Sequence, residues 1–181
     1  MTDRDQRGFS MIEATIAVSL LAIGVAGLAQ LTVATGRASE AARRATIAQQ
    51  AAIERMEQLR ALAWTSDGGI VPVTDWTSDL TTTPATTGGS GLASTSSSTL
   101  TSNTAGYCDF LDAEGRWLAG GTRAPVGAAW VRRWSVGPVD PLADTLMFHV
   151  LVIPATAAQV PPGSVSTNGA SLATMHTRRV R

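Results

Sequence analysis

Lysine is absent from the 181 residues, so the 14 positive charges are all arginines, and they balance 14 aspartates and glutamates to a net charge of zero. A neutral chain has no steering field for polyanions, which argues against nucleic acid as a partner. Cysteine is nearly absent: with Cys108 alone, an intramolecular disulfide and a thiolate cluster for zinc or iron–sulfur are both excluded. The two histidines, His149 and His176, have no cysteine or carboxylate at ligand spacing, so no metal site is nominated. Without lysine there is no phosphate-cradling loop of the Gly-Lys type, and no serine stands in a nucleophile motif with His and Asp. No catalytic residue and no cofactor is expected, and the chain reads as a non-enzyme. Two local absences matter more. No charged residue occurs from Ala14 to Gly36, and no proline from Phe9 to Trp64.

The uncharged stretch TIAVSLLAIGVAGLAQL is apolar around its whole circumference. About twenty such residues cross a bilayer core of roughly 30 Å. A buried core helix of that kind would need protein on every side, which a chain of this length can hardly supply. A cleaved secretory signal is the nearer competitor, since small residues such as Ala26, Ala29 and Ala34 could serve a signal peptidase. Glu13 argues against it, because an unpaired carboxylate at the bilayer centre costs about 2.5–3.5 kcal/mol. Glu13 as a residue snorkelling to the interface is the plainer alternative to a functional role.

The segment Arg7-Gly8-Phe9-Ser10-Met11-Ile12-Glu13 and the apolar run after it resemble the class III signal of type IV pilins and pseudopilins. Glycine, phenylalanine and glutamate all stand at the family's spacing. The resemblance implies that a prepilin peptidase cuts between Gly8 and Phe9 and methylates the new Phe9 amine, and that Glu13 and Phe9 serve subunit docking. Physical chemistry fits those roles. Glycine lets the scissile bond be presented in extended form. The carboxylate one turn after Phe9 can neutralise an amine in an apolar environment, so that assembly relieves the cost of burying it. The leader departs from the usual basic pattern, with Asp3 and Asp5 offsetting Arg4 and Arg7. Arg37, Arg43 and Arg44 flank the far end, so the positive-inside rule does not fix the orientation, which rests on the peptidase motif.

After Gly36 the sequence is rich in Ala, Arg, Glu, Gln and Leu, all good helix formers, so one helix is predicted to continue to near Trp64, about 84 Å if unbroken. Ile53, Met56, Leu59, Leu62 and Ala63 form the predicted packing stripe, with Glu54, Glu57, Gln58 and Arg60 facing away. The organisation expected is a leader over 1–8, a membrane and filament-core half of the helix over 9–36, a periplasmic half over 37–64, a Ser/Thr/Gly-rich connection over 65–104, open to O-glycosylation, and an antiparallel sheet over 105–181. The connection is rich in low-complexity tracts. In the sheet region, Phe110–Asp112 and Arg116–Leu118 flank a turn and read as a hairpin. Trp130 to Val136 alternates so that Arg132 lies between Trp130 and Trp134, Asp144 to Ile153 suits a central strand, and Ser171 to Arg181 a final edge strand. Three or four antiparallel strands are expected in all.

The fold class is thus α+β and pilin-like, with the second half of one long helix packed on a small antiparallel sheet. The region around Arg132–Val136 also resembles, more loosely, the C-terminal domain of PilV-like minor pilins. Asp109, Asp112 and Glu114 faintly resemble the calcium loop of some pseudopilins, but the ligand spacing is incomplete and a polar hairpin turn is the expected reading. The function implied is a minor type IV pilin-like subunit, assembled through its helix into a pilus or pseudopilus at initiation or at the tip. Its implied partners are other pilin subunits, prepilin peptidase, the inner-membrane assembly platform and the lipid bilayer. The implied location is the bacterial inner membrane, single-pass with the globular part in the periplasm, and then the filament. Alternatives are a type II secretion pseudopilin, a DNA-binding minor pilin using Arg178, Arg179 and Arg181, and an uncleaved single-span anchor.

Overall fold

The computed structural model describes residues 10–67, 71–139, 144–157 and 169–180. The chain divides into two units, Met1–Ala42 and Arg43–Arg181. One helix, α1 (Met11–Ala61), begins in the first and ends in the second. Ser10 caps its start: its carbonyl accepts from the Ala14 amide at 3.1 Å and its hydroxyl from Ile12 at 3.4 Å. In the first unit every described residue is exposed.

In the second unit, α1 is the face on which the core is built. It ends at Ala61, three residues short of the predicted Trp64, because Trp64 is taken into a strand. That strand, β1 (Trp64–Asp67), pairs antiparallel with β2 (Val71–Thr74). Residues 65–104, expected as an unpatterned connection, also contain β3 (Ser78–Asp79), β4 (Thr86–Thr87) and a 3₁₀ turn at Ser97–Leu100. Leu80 and Leu92 are buried and anchor this stretch. Asp75 accepts the amides of Thr77 and Ser78, each at 2.9 Å, and the Ser78 hydroxyl at 2.7 Å. Burial works against that carboxylate's charge, but these hydrogen bonds outweigh it and hold its pKa below the usual range. Gly91 is required at the following turn: its φ is +49°, and a Cβ there would lie 2.3 Å from the Asp75 carbonyl oxygen.

The main sheet has five strands, one or two more than expected. They are β5 (Cys108–Leu111), β6 (Trp117–Gly120), β7 (Trp130–Pro138), β8 (Thr145–Pro154) and β9 (Ala170–Thr177), in the order β6-β5-β7-β8-β9, all antiparallel. The predicted hairpin is β5–β6, the predicted central strand is β8, and the final edge strand is β9. One pairing is of the other sense. The short β10 (Arg179–Val180) leaves the main sheet and runs parallel to β1, so the chain's last strand lies beside the segment that follows the helix.

The helix stripe is rotated from the predicted one. Ala48, Ala51, Ala52, Arg55, Met56 and Leu59 are buried, Leu62 is partly so, and Ile53 is 45 % exposed. Small alanines let the helix approach the Trp130, Trp134, Val136, Phe148, Val150 and Val152 side chains of the sheet closely, and these residues share one core with it. On the opposite face, Cys108, Phe110, Val131 and Ile153 form a smaller cluster. Residues 97–103 reach toward that side, where Arg133 donates to the Leu100 carbonyl at 3.1 Å and to Asn103 Oδ1 at 3.0 Å.

Candidate functional site

The candidate site is the amino-terminal segment. Gly8 and Phe9 lie outside the described residues, whereas Glu13 stands in the first turn of α1. From Met11 to Gly36 it is the one charged residue in the sequence, set in a row of exposed Ile16, Val18, Leu20, Leu21, Ile23, Val25, Leu28, Leu31 and Val33. By length and composition this helix can cross a membrane. Its few hydroxyls are turned back on the helix: Thr15 donates to the Met11 carbonyl at 2.8 Å, Ser19 to Thr15 at 2.8 Å, Thr32 to Leu28 at 2.9 Å and Thr35 to Thr32 at 3.0 Å. Each bond satisfies a donor that lipid could not. The hydroxyls are thereby satisfied within the helix, which leaves the Glu13 carboxylate as the charged group of this run and the Gln30 amide as its other long polar side chain. Gly24 and Gly27 have no atom within 4 Å of the position a Cβ would take, so nothing in the chain fills the notches they leave. Such notches admit close approach of another helix.

In the second unit, α1 is tied to the sheet by a buried cluster that the sequence did not reveal. Asp109 on β5, 0 % exposed, receives Arg55 from the helix at 2.6 Å and Arg132 from β7 at 2.7 and 3.0 Å. Arg55 also donates to the Leu80 carbonyl, and Arg132 donates to Ala51 on the helix at 3.0 Å. Two guanidiniums thus share one buried carboxylate, and half-exposed Glu54, 3.6 Å from Arg132, supplies the second negative charge. Burial first, and then the like charge of Arg132, push the Arg55 pKa down to about 10, against the attraction of Asp109; it stays cationic near neutrality.

As expected, Trp130, Arg132 and Trp134 share the helix side of β7, but Arg132 is not the cation stacked on an indole. The cation over Trp134 is Arg55, 4.3 Å from the ring centroid, while Arg132 is drawn to Asp109. The signal was present in Ala48, Ala52, Arg55 and Leu59, which follow helical spacing, but a charged residue in the middle of a stripe reads as solvated until its partner is known.

Asp109 therefore serves the core, and Asp112 closes the hairpin turn by accepting the amides of Glu114 at 2.9 Å and Arg116 at 2.8 Å. Among the described residues no group of three or more His, Cys, Asp and Glu side chains is placed to hold a metal ion. His149 meets Ser171 at 2.8 Å, and burial lowers its pKa; His176 stacks on Phe148. Burial, followed by the negative charge of Asp109, pushes the Cys108 thiol up to about 11, so it remains protonated and unreactive near neutrality. Arg178, considered above for phosphate contacts, is held 3.6 Å from the Trp64 ring centroid, bonds Asp144 at 2.9 Å and donates to the Thr65 carbonyl at 3.0 Å. Arg181 lies outside the described residues, as do the side chain of Arg179 and its contacts.

Comparison with known families finds one match, to the prokaryotic N-terminal methylation motif, over residues 3–29. The matched stretch holds Gly8, Phe9 and Glu13 and runs into the exposed apolar half of α1. The chain thus carries the class III signal of type IV pilin-like precursors. No curated protein and no solved structure matches the chain.

Proposed function

We propose that the chain is a minor type IV pilin-like subunit, cut between Gly8 and Phe9, methylated on the Phe9 amine, and assembled through α1 into a pilus or pseudopilus, at initiation or at the tip. The observation that carries this reading is the methylation motif over residues 3–29 running directly into a helix whose exposed apolar run contains one carboxylate, Glu13. A membrane-spanning segment that ends its role in lipid has no use for that carboxylate. A segment that leaves lipid for a bundle of like helices can pair it with a neighbour's Phe9 amine. On this reading the partners are other pilin subunits, prepilin peptidase, the inner-membrane assembly platform and the bilayer, and the role is structural. The globular unit sits in the periplasm before assembly. The tie from Arg55 and Ala51 to Asp109 and Arg132 suits a subunit extracted by its helix, because force on α1 is passed to β5 and β7 through charge-assisted bonds.

Mass spectrometry of the envelope form should find a chain that begins at methylated Phe9. Gly8→Trp should leave uncut precursor in the inner membrane, since the scissile bond no longer fits the peptidase. Assembled protein that retains Met1 would overturn the proposal.

A further inference from the structure

Carboxylates, thiols and imidazoles form no metal-holding group among the described residues, but a soft ion takes a different donor, the thioether. The face of the main sheet turned away from α1 carries such donors. Leu146, Phe148, Val150 and Val152 of β8 are buried on the helix side, so Met147 and His149 stand on the other. Across the ladder, Met147 is in register with Met175 and His149 with Ala173. Residues directly opposite have Cβ atoms about 4.5–5.5 Å apart, and diagonal neighbours about 7–8 Å, within reach of long side chains. Met147, Met175 and His149 thus form a triangle on one face. The positions around it are small: Ala173 on β9, and on β7 Ser135 and Gly137, in register with His149 and Met147. No atom lies within 4 Å of where a Cβ on Gly137 would be, so the space beside Met147 is open. Two of the chain's five methionines meet here, 40 % and 61 % exposed, although β-branched side chains would fill a pleated surface better.

We infer that Met147, Met175 and His149 form a binding site for monovalent copper. Copper is the metal these two donor types share: thioethers select Cu(I), and imidazole serves copper as well as zinc, iron and nickel. All three donors are neutral, which suits an ion of single charge. Zinc is disfavoured, because its sites draw on thiolate, imidazole and carboxylate, and the set holds only one imidazole of these. To a hard ion such as calcium the set offers no carboxylate. His149 is also held as ligating histidines are. Its Nε2 lies 2.8 Å from the hydroxyl of Ser171, on the same face of β9. With the proton on Nε2, that bond fixes the ring and leaves the Nδ1 lone pair for the metal. The site lies wholly in the second unit, so it does not depend on how the amino terminus is processed.

The test titrates the full chain in detergent with Cu(I), anaerobically and against a coloured Cu(I) chelator. The expected result is one equivalent of Cu(I) retained, with an X-ray absorption spectrum that shows two sulfurs and one nitrogen around the metal. Met147→Leu, Met175→Leu and His149→Gln should each weaken binding by about tenfold or more, and Ser171→Ala by about tenfold through the ring it positions, with recovery in Ser171→Thr. Met11→Leu and Cys108→Ala should leave the affinity unchanged, since Met11 opens α1 and Cys108 is buried in the smaller cluster. Leucine keeps the size of methionine at these exposed positions, so a melting temperature equal to wild type separates lost binding from lost folding. No retained Cu(I), an equivalent that survives Met147→Leu combined with Met175→Leu, or one lost in Cys108→Ala at an unchanged melting temperature would each overturn the inference.

Discussion

Asp109→Asn should cost the globular unit about 3–5 kcal/mol, because it leaves Arg55 and Arg132 buried beside each other without the carboxylate that both of them bind. Asparagine keeps the shape and can still accept a hydrogen bond, so the loss isolates charge from packing. Glu54 cannot compensate, since it is half exposed and lies 3.6 Å from Arg132. For a unit of this size the melting temperature should fall by about 10 °C or more, read from tryptophan fluorescence of the full chain in detergent. Replacing the whole cluster, with Arg55→Met, Asp109→Leu and Arg132→Met together, should recover most of the loss, because no buried charge then lacks a partner. A melting temperature within about 2 °C of wild type for Asp109→Asn would show that the carboxylate does not hold helix and sheet together.

Glu13→Ala should leave cleavage at Gly8 intact and make the apolar run more hydrophobic, yet reduce recruitment into the filament by tenfold or more. If the carboxylate only tolerated the membrane by reaching to its edge, removing it would relieve up to about 3 kcal/mol and assembly would not change. If it meets the amine of a neighbour, removing it leaves that amine buried and unpaired, and the subunit stays in the membrane pool. The measurement is the ratio of variant in sheared filaments to variant in membranes. Normal incorporation would defeat the docking role of Glu13.

The elements that could be read from the sequence are those governed by local pattern. An uncharged run and the absence of proline give a long helix; apolar and polar alternation gives β7; and the turn at Gly115, with its φ of +83°, gives the β5–β6 hairpin. What could not be read depends on partners far apart in the chain. Arg55 and Asp109 look like surface residues until the fold brings them within 2.6 Å. Residues 65–104 look featureless because their order comes from hydroxyls and carboxylates bonding nearby backbone and from single leucines, Leu80 and Leu92, that reach the core, which leaves no periodicity to detect. The parallel β1–β10 pair joins residues more than a hundred positions apart, beyond any local signal. The candidate site was the reverse case: Glu13 lies within seven residues of sequence that also hold Gly8 and Phe9, so its place needed no tertiary information.

The position of β10 also orders events during synthesis. Because β10 lies against the strand that begins at Trp64, and Arg178 clamps the same tryptophan, the small sheet cannot close until residues near Val180 have emerged. At about 5–20 residues per second, that is roughly 6–24 s after the end of α1 has been made. The apolar run is made long before, so it can enter the bilayer while the sheet is still incomplete. An apolar run that enters the bilayer at that point would tether the chain before its globular part is finished, so any chaperone holding the unfinished sheet would act on a tethered chain.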